Sequence, residues 1–331
     1  MDGEKNDGKR RTHSRRIERR TVDCAERMTG MEAAIVRTVV ALGVLGAPPT
    51  IAELWQHLDL PEDGESTKLN DLEMTLNQLV VHNVLSVSRG RYLPSEMKAE
   101  LTPLLAGEEW MPRKLRKAKR IARWLAQLSG VRAVFLCNRT AFGLPRDEGD
   151  LDFFVIVRHG SIWQTRALGG LPFVLLGDRP KPGVDERDVV CLSFFLSDQA
   201  LNLRACALQP DDMYLRHWFL GLLPLVDDGV GAELWAANTE LIGRHPCALP
   251  WILSPDVRVM VPTVRIPVTR LGEKLWRALQ WKYFPQTLRD KANMDTHVMI
   301  SDERLKFHVG DGREAMQERY VQLCASYGIL P

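Results

Sequence analysis

A chain of 331 residues, 45% hydrophobic and 26% charged, is long enough for two or three cooperating domains and too apolar to be disordered throughout. Its formal net charge of +2 and isoelectric point near 8.2 exclude a strong global attraction to nucleic acid or membrane, so an electrostatic partner must be met by a local patch. The longest apolar windows, "AAIVRTVVALGVLG" and "WFLGLLPLV", are too short to span a bilayer, and no apolar signal segment precedes them. Cys24, Cys137, Cys191, Cys206, Cys247 and Cys324 are scattered without CxxC spacing, which predicts reduced thiols in a cytoplasmic protein.

Residues 1–30 form a basic arm, densest from Lys9 to Arg20, with almost nothing to bury. It is either a solvated tail or a contact for nucleic acid. From Met31, Ile35, Val36, Val39, Val40 and Leu42 recur at helical spacing, and the helix ends near Gly43. Thr50 and Glu53 form a T-x-x-E capping box that opens a second helix with Ile51, Leu54, Trp55 and Leu58 on its apolar side. A third helix carries Leu69, Leu72, Leu76 and Leu79, and "VLSVSRGRYLP" reads as a hairpin turning at Arg89-Gly90. Three short helices and a hairpin over residues 31–95 follow the pattern of a winged helix-turn-helix. For DNA recognition the third helix must offer cations to phosphates, yet its outward face offers Asp71, Glu73, Thr75, Asn77 and Gln78 against Lys68. The module therefore reads as a packing or dimerisation element, with Arg89 and Arg91 keeping a nucleic-acid role open.

Residues 96–129 read as a basic linker containing the helix "PRKLRKAKRIARWLAQL", buried through Leu115, Ile121, Trp124, Leu125 and Leu128. Its cations are either solvated or one wall of an anionic-ligand cleft. A core of residues 130–200 follows. "VRAVFLC" and "LDFFVIV" are β-branched and aromatic strands separated by a loop containing Gly143, Pro145 and Gly149. Alternate side chains of a strand share a face, so Asp150 and Asp152 point together. Two oxyanions side by side repel unless a cation lies between them, which is how Mg²⁺ is held with waters and substrate phosphates completing its shell. The plain alternative is an acidic turn at a strand entrance.

The run "FGLPRDEGDLDFFVIV", with Asp150-Leu151-Asp152 as a D-x-D, resembles the signature of the DNA polymerase beta-like nucleotidyltransferase superfamily. In that family a Gly-Ser pair opens a helix after the first strand and D-x-D follows on the second. The segments "GSIWQTRAL" and "PFVLLG" look like the next helix and strand, and "LKFHVGDGREAMQERY" is similar to the tail of bacterial proteins that carry this domain behind a winged helix. The resemblance implies an α/β (α+β) fold: a nucleotidyltransferase-type mixed sheet flanked by helices, an N-terminal winged helix-turn-helix and a helical C-terminal region over residues 201–331. It also implies Mg²⁺ or Mn²⁺ on Asp150 and Asp152, and transfer of a nucleoside monophosphate from an NTP to an unknown hydroxyl acceptor. Asn138 and Arg139 stand where the family has Gly-Ser, and with Arg146 they are the nucleotide-binding candidates. In "DVVCLSFFLS" the interior offers Cys191 and Ser193; Asp188, at its start, is the candidate third carboxylate. A catalytically inactive binding or regulatory protein on the same fold is the alternative.

Beyond residue 200, "DDMYLRHWFLGLLPLV", "GAELWAANTELIGR" and "RLGEKLWRALQWKYF" read as helices. Trp218, Phe219, Leu222 and Trp235 are core by their spacing, whereas for Tyr214, Arg216 and His217 a cleft-lining role is open but not required by the spacing. His308 and Asp311 suggest either a general-base pair or a histidine capping a local turn.

Overall fold

The computed structural model describes residue 28 and residues 30–60, 67–178 and 187–331. The basic arm from Lys9 to Arg20 and Cys24 lie outside the described residues. The chain divides into two compact units. One takes the described residues up to Leu101 with Arg244–Ala248 and Glu314–Pro331; the other takes Thr102–Gly243 and Leu249–Arg313.

The first unit opens with helices α1 (Gly30–Val44), α2 (Ile51–Gln56) and α3 (Leu69–Val81), followed by strands β1 (Leu85–Ser88) and β2 (Arg91–Pro94). The capping box is present: the Thr50 hydroxyl accepts from Glu53 N at 3.3 Å, and Glu53 Oε2 accepts from Thr50 N at 2.7 Å. Arg89 and Gly90 have φ of 49° and 71°, the double left-handed turn that matches the twist of a two-residue hairpin. On α3, Leu72, Leu76 and Leu79 are buried, whereas Leu69 is exposed. Asp71, Glu73, Asn77 and Gln78 are exposed as the pattern predicts. Arg91 is turned inward: its Nη1 donates to the Pro48 carbonyl at 2.8 Å and pairs with Glu53 at 2.9 Å. Of the two hairpin arginines, only Arg89 is exposed.

Two histidines pack inside this unit, with His245 Nδ1 2.9 Å from the His57 carbonyl oxygen. Burial, aided by the charge of His245, drops the His57 pKa to about 3. The unfolded chain therefore takes up a proton that the folded chain refuses. This stabilisation is complete above the unfolded value near 6.5 and is lost as pH falls from there through the folded value near 3. The slope is at most about 1.4 kcal/mol per pH unit. Urea denaturation between pH 7 and pH 4 should show that slope, and His57→Gln should flatten it.

The second unit begins within α4 (Lys98–Leu105), continues through α5 (Gly107–Leu125) and is built on a six-stranded sheet. Its strands are β3 (Val131–Leu136), β4 (Leu151–Val157), β5 (Val190–Ser197), β6 (Leu223–Asp227), β7 (Val298–Ile300) and β8 (Arg304–Phe307), in the order β6-β3-β4-β5-β8-β7. Among these strands β4 and β5 alone pair in parallel, with α7 (Ile162–Leu175) in the crossover between them; α6 is the single turn Asn138–Ala141. Apolar alternation gives the central strands two buried faces. Leu151, Phe153, Val155 and Val157 pack with Ile121, Leu125 and Trp163 on one side. Phe154, Ile156 and Phe194 pack on the other with Trp218 and Phe219 of α8 (Met213–Leu220) and Leu234 of α9 (Val230–Ala236). The unit also holds α10 (Arg270–Tyr283) and α11 (Gln286–Lys291), and α12 (Arg313–Ser326) closes the chain's elements.

The structure departs from the sequence pattern at two places. "PFVLLG" is no strand but the end of α7 and its cap, because that helix runs to Leu175 before Gly177 turns with φ of 69°. The region after residue 200 is not helical throughout, since it supplies β6, β7 and β8 to the sheet. In "GLLPLV" the apolar residues follow α8 without a polar break, so the change of period at Gly221 is masked; β7 and β8 span three and four residues, too few to show alternation. No described helix is long and apolar enough to cross a membrane.

Candidate functional site

The entrance of β4 is fixed from three directions. Leu151 N donates to the Val189 carbonyl at 2.8 Å, starting the parallel ladder, and the Gly149 carbonyl accepts from Asp188 N at 3.0 Å and from Lys114 Nζ at 2.5 Å. Lys114, from the helix read as solvated or cleft-lining, is fully buried; it also pairs with Asp188 at 2.7 Å. Arg113 Nε lies 2.9 Å from the other Asp188 oxygen. Burial opposes ionisation of Asp188, but hydrogen bonds and charge from Lys114 and Arg113 outweigh it and hold the carboxyl below its usual range. Gly107 at the start of α5 permits this approach, because a Cβ there would meet the Pro145 carbonyl oxygen at 2.6 Å. Asp188, the expected third carboxylate, is thus committed to two cations and orders the turn leading into Asp150.

A cysteine completes the cluster instead. The register sets Asp152 opposite Cys191, and ligand atoms of Asp150, Asp152 and Cys191 all lie within 4.8 Å of one another. All three residues are half-buried. Burial pushes the Cys191 thiol well above its usual value, and the two carboxylates push it further. This donor set fits a divalent cation. Two carboxylates are the hard ligands that Mg²⁺ and Mn²⁺ take, and the sulfur is better tolerated by Mn²⁺ or Zn²⁺ than by Mg²⁺.

Asp152 is held in place by Asn138, whose Nδ2 donates to Asp152 Oδ2 at 2.6 Å while its Oδ1 accepts from Tyr214 at 2.8 Å. Asn138 has φ of 57°, in the left-handed region that glycine enters freely and asparagine tolerates best among other residues. It therefore supplies the backbone turn expected of a small residue and adds a side-chain amide directed at the carboxylate. Burial raises the Tyr214 phenol well above its ordinary value, so it stays a donor to Asn138.

No protein-family model, curated protein or solved structure matches this chain. The site must therefore be read from its own chemistry.

Arg139 and Arg146, the remaining nucleotide-binding candidates, lie beside one another. Arg139 Nε donates to the Leu144 carbonyl at 3.0 Å, and among the described residues neither arginine forms an ion pair. Burial, with the charge of Arg146 beside it, brings the Arg139 guanidinium down to about 10. Two guanidinium groups without a carboxylate between them are relieved by a bound polyanion. The other candidates divide. Tyr214 reaches the site through Asn138, whereas Arg216 and His217 are buried in α8, Arg216 pairing with Asp211. His308 is not paired with Asp311: its Nε2 lies 2.9 Å from Ser193 Oγ, while Asp311 binds Lys306 and Arg313. Residue types alone could flag Cys191 and Ser193; the pairing of β5 with β4 and β8 reveals their neighbours. A separate cavity of about 370 Å³, bordered by Trp124, Leu168, Leu171, Leu175 and Ile266, contains none of these groups.

Proposed function

We propose that this protein is a divalent-cation-dependent nucleotidyltransferase that moves a nucleoside monophosphate from an NTP to a hydroxyl, on a fold akin to the DNA polymerase beta-like superfamily. The observation that carries the reading is the convergence of Asp150, Asp152 and Cys191 at the mouth of a parallel strand pair. The resemblance of Cys137–Val157 to the family signature supports it, as do Arg139 and Arg146, which lie side by side between β3 and β4.

Bound Mg²⁺ or Mn²⁺ would neutralise charge on the phosphates as the bond to the leaving pyrophosphate breaks. Asp150 and Asp152 would hold the ion, with Cys191 as the third donor. Asn138 keeps Asp152 turned to it, braced by Tyr214. Lys114 and Asp188 act at one remove, fixing the Gly149 carbonyl so that Asp150 enters the cluster. Arg139 and Arg146 bind the triphosphate.

A nucleotide-binding protein without transfer activity is the second reading. It is favoured by Asn138, which occupies one oxygen of Asp152 at 2.6 Å. Equilibrium binding of fluorescent NTPs with and without Mg²⁺ or Mn²⁺, run beside pyrophosphate release, separates the two. Metal-dependent binding with release supports transfer; binding without release supports the second reading; no binding in either metal overturns both.

A further inference from the structure

β5 places a hydroxyl beside the cluster that neither metal nor phosphate binding employs. Between the register pairs Asp152–Cys191 and Phe154–Phe194, Phe153 of β4 faces both Leu192 and Ser193, so β5 bulges there. An extra residue of this kind re-aims a side chain. Leu192 stays in the core on the α5 side of the sheet, while Ser193 is half-buried and close enough to Cys191 to ease ionisation of its thiol.

The partner of that hydroxyl comes from the far end of the sequence. Antiparallel pairing sets Lys306 of β8 opposite Phe194, and His308, just beyond the strand, reaches Ser193 Oγ with Nε2 at 2.9 Å. His308 is anchored by its backbone, N–H donating to the His297 carbonyl at 3.0 Å and its own carbonyl accepting from Asp311 N at 3.1 Å. Burial, together with the charges of Lys306 and Arg313, brings the His308 pKa to about 4, so the ring is neutral near pH 7 and has a lone pair to offer. Asp311 acts in the opposite sense and favours the imidazolium. An alcohol within hydrogen-bond reach of a neutral imidazole is the arrangement that activates a serine as a nucleophile.

We infer that Ser193 is itself a hydroxyl that receives the nucleotidyl group, with His308 as its base, so that the protein modifies its own β5. The inference rests on the nucleotidyl-transfer reading above. Ser193 Oγ attacks the α-phosphorus of the NTP and forms an O–P bond. The bond from that phosphorus to the oxygen bridging the β-phosphorus breaks, and pyrophosphate leaves with the electron pair. The Oγ proton passes to His308 Nε2. The product is a phosphodiester linking Ser193 to the nucleoside.

The full chain is incubated with ATP, GTP, CTP or UTP and Mg²⁺ or Mn²⁺, and its intact mass and proteolytic peptides are recorded, with NTP binding measured in parallel. The expected result is a mass increase of one nucleoside monophosphate on the peptide containing Ser193. Ser193→Ala should abolish it, Ser193→Thr should retain it, and His308→Gln should slow it at least about 100-fold. NTP binding without an adduct, or an adduct elsewhere that Ser193→Ala leaves intact, overturns the inference and leaves the reading standing. Loss in both Ser193→Ala and Ser193→Thr likewise overturns the assignment of the hydroxyl. A wild-type chain that binds no NTP removes the reading together with the inference.

Discussion

Changing Asp150 and Asp152 together to asparagine should cut metal-dependent NTP binding about 1000-fold. Each carboxylate contributes roughly 2 kcal/mol to a charged contact, about 4 kcal/mol in all, and tenfold in affinity is about 1.4 kcal/mol. The same variant should gain stability when no metal is added. In the native chain the two acids sit in a half-buried cluster with Cys191, and like charges in that position repel. Thermal melts in chelator and in Mn²⁺ check both halves of this expectation. The wild type should melt lower than the variant in chelator and rise on adding metal, while the variant should ignore the metal. If the variant keeps the metal-induced rise, the ion binds elsewhere.

Asp212→Ala should cost about 3–5 kcal/mol, the range for breaking a buried ion pair by removing one partner. Asp212 is buried and carries three bonds. Its Oδ1 caps α8 by accepting from Leu215 N at 2.8 Å, and its Oδ2 accepts from Leu208 N at 2.9 Å and from Arg313 Nη1 at 2.7 Å. Removing it strips the helix cap, worth about 1 kcal/mol by itself, and leaves the buried Arg313 cation with Asp311 as its remaining carboxylate. The midpoint of a urea transition reads the loss. Nucleotide binding should weaken as well, because α8 carries the Tyr214 that braces Asn138 against Asp152. Glu240→Gln serves as the control: its pair with Arg204 is exposed on both sides, and its removal should leave the midpoint in place.

What could be read in the sequence was local. The Thr50–Glu53 box, the Arg89-Gly90 turn and the strand from Leu151 to Val157 depend on residues within a few positions of one another, and each stands where the pattern put it. The buried roles of Trp218 and Phe219 follow from helical spacing in the same way, whereas Leu222, also buried, lies beyond the end of α8. The remainder of the site depends on pairings that no local period encodes. Cys191 joins Asp150 and Asp152 because β5 runs parallel to β4 in one register, and a slip of one residue would turn Cys191 to the other face. His308 reaches Ser193 because a four-residue strand near the C-terminus pairs with β5 across more than a hundred residues of chain. Lys114 was masked by its neighbours: in a helix with seven cations between Arg113 and Arg123, composition cannot single out the one that is buried against Asp188. The pairing of Asp188 is hidden for the matching reason, since its acid is visible in sequence and the two cations that occupy it are not.

Soaking crystals in Mn²⁺ and recording its anomalous scattering tests the central claim most directly. The account predicts one strong peak bonded to carboxylate oxygens of both Asp150 and Asp152 at the entrance of β4. An ion bound elsewhere, or none at this entrance under saturating Mn²⁺, would contradict it.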